Sequence, residues 1–100
     1  MSLRVVRRPR ARRDIVEIAV YLADQSLEAS NRFLDAAEES LQMLARLPHA
    51  GSLCRFRNPK FRLWRVRGFE NYPIFYRPLQ DRIELLRIVH GARDIATPFE

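Results

Sequence analysis

From Ile15 to Leu47 the apolar residues recur at helical spacing, and only Gln25-Ser26 interrupts them. No other feature constrains the fold as strongly. The first stripe is Ile15, Ile18, Ala19 and Leu22, with Asp14, Glu17 and Asp24 elsewhere on the circumference, and Pro9 suits the first helical turn. The second stripe is Phe33, Ala37, Leu41, Leu44 and Leu47, with Leu34 beside it. Ser26 offers it an N-cap and Pro48 a stop, with Gly51 just beyond. Two helices so briefly connected must double back as an antiparallel hairpin.

After Gly51 the period becomes two. Residues 61–66 read as a strand with Phe61, Leu63 and Arg65 on one face and Arg62, Trp64 and Val66 on the other. Residues 68–71 read as a turn. Residues 72–77 form the next strand, with Tyr72, Ile74 and Tyr76 aligned. Pro73 lacks an amide donor and must sit where the ladder does not need one. A tight turn at 78–81 leads to a last strand, 83–90, apolar on both faces (Ile83, Leu85, Val89; Leu86, Ile88) and therefore central. Residues 3–8, with Val5 and Val6, make an edge strand that Pro9 stops. The order is β-α-α-β-β-β. The hairpin must bury its stripes, and one face of the antiparallel sheet is the available partner. The expected fold is a two-layer α+β domain spanning residues 1–100.

Charge is distributed unevenly. The net charge is +6, and every cation except Lys60 is arginine, the residue suited to bidentate phosphate or carboxylate contacts. Residues 4–13 hold six arginines and no acid, and residues 55–67 hold five arginines and Lys60, again with no acid. Residues 14–46 carry seven acids against Arg32 and Arg46. Basic patches of this kind attract nucleic acid or acidic partners. No apolar run approaches the roughly 20 residues of a membrane span, and no signal-peptide core follows the basic start. The lone Cys54 has no internal disulfide partner and no cysteine-hydrolase signature around it. The expectation is a soluble cytoplasmic protein.

His49, His90 and Cys54 show no metal-ligand spacing, and the three glycines make no phosphate-binding loop, so no metal or cofactor is implied. The set with chemical potential is Arg65, Arg77 and Arg87 with His90. Arginines gathered on one sheet face would hold phosphates, and an imidazole could protonate a leaving oxygen, which together would cleave RNA. The structural reading of His90 is a strand-end histidine bonded to nearby backbone or to Asp94. Tyr72 and Tyr76 suit sheet core better than a base-stacking platform.

The segments RFLDAAEESLQMLARLPHAG, WRVRGFENYPIFYRP and IELLRIVHGARDI together resemble toxins of the RelE/ParE superfamily, part of type II toxin–antitoxin pairs. The resemblance runs from about Arg8 to Ile95. It implies a helical hairpin on an antiparallel sheet, and an antitoxin partner with an acidic segment. Val16 and Val20, apolar on the hairpin's outer side, are the residues such a partner would cover. RelE-like members cut messenger RNA on the ribosome, whereas ParE-like members block DNA gyrase. The nuclease branch commonly carries a tyrosine near its C-terminus. Here His90 is followed by Gly91-Ala92-Arg93-Asp94, and the last tyrosine is Tyr76, an ending similar to the ParE side. The resemblance therefore implies a gyrase-binding toxin with His90, Arg93 and Asp94 presented to the target and Gly91 providing the bend. The alternatives are a metal-independent, RelE-like endoribonuclease and a chain without toxicity that serves complex assembly and repression.

Overall fold

The computed structural model describes residues 2–54 and 60–91. Its elements are β1 (Arg4–Arg7), α1 (Pro9–Ala23), α2 (Leu27–Arg46), β2 (Ser52–Leu53), β3 (Arg62–Val66), β4 (Phe69–Pro78) and β5 (Arg82–Ile88). The expected order holds, with the two-residue β2 added. The strands form one sheet in the order β1-β5-β4-β3-β2, and the two helices lie on one of its faces.

The helices begin as their end residues dictate. Pro9 opens α1, and the Ser26 hydroxyl accepts from Ala29 N at 3.1 Å to cap α2. Ser30 Oγ donates to Ala19 O at 2.7 Å and pins the helices together. Phe33, Ala37, Leu41 and Leu44 are buried as their spacing requires. Leu47 is not. The helix ends at Arg46, so Leu47 leaves the stripe and is 59% exposed. On α1 the buried line is Ala11, Asp14, Ile18 and Leu22, which places one acid in the interior.

The sheet is mixed. Hairpin connections force β3, β4 and β5 to run antiparallel, but β1 reaches β5 only after the whole chain has intervened. No turn constrains its direction, and it pairs parallel, Arg4 with Arg82 through Arg7 with Leu85. β5 is central, as expected. Its two faces differ from simple alternation because the β4–β5 register shifts beside Phe75 and Tyr76. Leu86 is the extra residue, and the parity of β5 flips there. Ile88 therefore joins Ile83 and Leu85 in the helix-side core, while Val89 packs with Cys54 and Phe75 on the far side. β4 is longer than expected and already begins at Phe69; the turn is confined to Arg67-Gly68, where Gly68 has a φ of 82°. Pro73 sits opposite Arg65, next to a second register shift, so its missing donor costs no ladder bond.

β1 pairs with β5 only as far as Leu85. Beyond it the Asp14 carboxylate takes the place of a neighbouring strand, accepting from Ile88 N at 3.1 Å and from Arg87 Nε at 2.8 Å. The loop before β2 is held similarly. The wholly buried Tyr76 donates its hydroxyl to Pro48 O at 2.8 Å and accepts from Gly51 N at 2.9 Å. A Cβ at Gly51 would lie 2.6 Å from that hydroxyl, so only glycine allows this approach.

Candidate functional surfaces

His90 follows the end of β5, where three elements meet. Its ring stands edge-on between Tyr21 of α1 (centroids 5.2 Å apart, 83°) and Tyr72 of β4 (5.1 Å, 83°). Its Nδ1 is buried with no hydrogen-bond partner. The structure thus gives His90 a packing role between helix and sheet, in place of the backbone bond expected for a strand-end histidine. Gly91 has no positive φ, and it gives clearance, since a Cβ there would lie 2.6 Å from the carbonyl oxygen of Asn71. Arg93 and Asp94 fall outside the described residues.

The four residues of the RNA-cleaving set occupy separate places. Arg77 chelates the buried Glu84 through Nε (3.1 Å) and Nη2. Glu84 lies six residues before His90, about 20 Å along an extended strand. Arg87 is turned to Asp14. Arg65 donates to Glu70 O at 2.9 Å and lies on the face away from the helices, whereas His90 packs against the helix-side Tyr72. Tyr72 and Tyr76 both belong to the helix-side core.

Val16 and Val20, one turn apart on α1, are 61% and 58% exposed, and Tyr21 and Leu27 are exposed too. A groove of about 490 Å³ between the helices is lined by Arg12, Ile15, Leu34, Ala37 and Leu41, among others. The hairpin therefore shows apolar side chains outward as well as inward.

Glu84 is the feature that reading the sequence missed. It is buried, and it faces Arg77, Arg82 (Nη2, 3.4 Å) and Arg8 (3.8 Å). The hydrogen bond from Arg77 is the main cause holding its carboxyl below the usual range. Burial opposes this, and the nearby charges of Arg77 and Arg82 and the bond from Arg82 assist it. Its position across from Arg77 was the only available signal, and that requires the register to be known. Among the described residues, no cluster of three or more His, Cys, Asp or Glu could hold a metal ion, and no helix is long and apolar enough to cross a membrane.

The family model described as ParE toxin of type II toxin-antitoxin system, parDE, matches residues 5–95, and the chain belongs to this family. A solved structure described as the chromosomal ParDE TA system from P. aeruginosa superposes with a TM-score of 0.75 at 16% identity, over 89% of this chain and 96% of that one. At that identity the likeness is one of fold. A search of curated proteins gives no match.

Proposed function

We propose that the chain is a toxin that inhibits DNA gyrase by binding it, and that a cognate antitoxin neutralises it. The match to the ParE toxin family over residues 5–95 carries this reading. The dispersal of Arg65, Arg77, Arg87 and His90 over two faces and both ends of the sheet favours it over RNA cleavage, which needs these groups within reach of one phosphate. In this reading the chain end from His90 through Arg93 and Asp94 meets the target, and Val16 and Val20 receive an apolar face of the antitoxin, whose acidic segment complements the basic chain. The setting is the cytoplasm.

The test is expression of the chain alone in bacteria, together with a gyrase supercoiling assay on the purified protein. Filamentation, DNA-damage signalling and loss of supercoiling support the proposal. Rapid translation arrest with cleaved messages would replace it with endoribonuclease activity, and no growth effect with an assembly role. Arg93→Glu is expected to weaken gyrase inhibition at least tenfold and to leave antitoxin affinity unchanged. Val16→Asp with Val20→Asp is expected to do the reverse.

A further inference from the structure

At the sheet end opposite His90, three adjacent strands present arginines on the face away from the helices. Arg4 opens β1 and Arg8 follows that strand, Arg82 opens β5 and Arg77 lies at the end of β4. The register aligns them: Arg4 is the partner of Arg82 and Arg77 of Glu84, and Arg8 reaches the same Glu84 from β1 (3.8 Å). Arg62, which opens β3 as the partner of Tyr76, stands on the helix side. With strands about 4.8 Å apart, the row spans about 10 Å. At Arg77 it continues into a cleft of about 310 Å³ lined, among the described residues, by His49, Lys60, Arg62 and Arg77 with Leu53, Pro78 and Leu79, none of them an acid.

We propose that this row is a docking track for the phosphodiester backbone of duplex DNA, bound without reading base sequence. The charge surplus is the first ground. Among the described residues the arginines here are Arg4, Arg8, Arg62, Arg77 and Arg82, against Asp81 and Glu84. Arg62 does not spend its charge on a carboxylate among the described residues; its Nη1 donates to the carbonyls of His49 (3.1 Å) and Gly51 (2.7 Å). The second ground is order. Buried Glu84 accepts from both Arg77 and Arg82 and so fixes their guanidinium groups, while each stays about one-third exposed (34% and 32%). Part of the entropy cost of ordering two long side chains on a ligand is met by the fold itself.

The shape of the array identifies the ligand. A line of cations at strand spacing suits a line of phosphates better than a single anion, and duplex DNA carries one charge per about 1.7 Å of axis. Single strands are held through stacked bases, which need exposed aromatic rings. Tyr72 and Tyr76 are buried in the helix-side core, and Trp64 is packed against it. An acidic protein segment would seek apolar anchors as well. Beside the row, the described residues offer Leu53, Pro78 and Leu79 of the cleft, whereas the more exposed Val16 and Val20 stand with Tyr21 on α1, whose Tyr21 packs against His90 at the far end. This surface does not depend on the gyrase reading, and either can fail alone.

The test is fluorescence anisotropy of the full-length chain with a labelled duplex of about 20 base pairs over a salt series. Binding is expected with a slope of log K against log salt of about −3 to −4, as four phosphate contacts require. Arg4→Gln with Arg8→Gln, both at exposed side chains, should flatten the slope by about 2 and weaken binding. Arg32→Gln with Arg46→Gln makes the same change in net charge on the acidic helix layer and should leave the slope unaltered. Both pairs spare Glu84 and its hydrogen-bonded partners Arg77 and Arg82, and circular dichroism confirms that each variant is folded. No salt-dependent duplex binding, equal losses from the two pairs, or tighter binding of single-stranded polyuridine or polyglutamate overturns the proposal.

Discussion

Tyr76 holds more of the fold than its place in a strand stripe suggests. Its hydroxyl satisfies both Pro48 O and Gly51 N, so the loop leaving α2 is tied to the middle of the sheet. Burial pushes its phenol pKa up, and the Gly51 bond and the Arg62 charge pull it partly back. A raised pKa means that the fold prefers the neutral phenol. The resulting stability is complete below the unfolded value near 10 and is lost as pH rises through the folded value. Tyr76→Phe is expected to lower unfolding free energy by about 1–3 kcal/mol, because two backbone groups lose their partner. Urea melts at neutral and alkaline pH should show that the variant lacks the wild-type alkaline decline. Glu84 has the opposite sign. Its folded pKa is depressed, so its contribution is present above the unfolded value of 4.5 and is lost as pH falls through the folded value. Glu84→Gln should cost about 1–2 kcal/mol near neutral pH and flatten the acid limb of a stability–pH profile. Fully buried pairs cost more, about 3–5 kcal/mol, but Arg77 and Arg82 remain partly in water here.

At the scale of elements, the join between α1 and β5 is the critical contact. Asp14 both stands in for a missing strand and neutralises Arg87, whose side chain is only 12% exposed. Asp14→Ala removes the acceptor of the buried Ile88 amide and the carboxylate beside the buried Arg87 guanidinium, and is expected to cost about 3–5 kcal/mol in chemical denaturation. Glu17→Ala, one turn on and exposed, should change stability by less than about 0.5 kcal/mol. The helices, their short connection, the Ser26 cap and the facing of β3 were legible in the sequence because local periodicity encodes them. The burial of Asp14 was not, since its partners lie 73 and 74 residues away and an acid at the rim of a stripe reads as solvated. The faces of β5 were legible only up to Leu86, because a bulge obeys register rather than alternation. For the same reason the arginines could be counted in the sequence, but not sorted into those bound to Glu84, to Asp14 or to backbone carbonyls.

On the scale of the whole molecule, the sheet is closed at one edge by the chain's own beginning. β1 is the outermost strand beside β5, and Leu3 N adds a bond to Ala45 O at the end of α2. Deleting residues 2–7 would bare the long apolar β5 as an edge, and such edges recruit further strands. The truncated chain is therefore expected to elute from size exclusion as aggregates and to lose a single cooperative thermal transition, whereas trimming Ser2 alone should alter neither. The α+β class and the hairpin-on-sheet layering followed from pattern, but the direction of β1 did not. No local signal states which way a strand will run when its neighbour follows only after two helices and three other strands.

That arrangement has a consequence for synthesis. The opening strand has its ladder partners in residues 82–85, so during translation it waits, unpaired, while the helices and three further strands are made. A nascent chain paused before Arg82 can close its helical hairpin but has no strand for β1 to lie against.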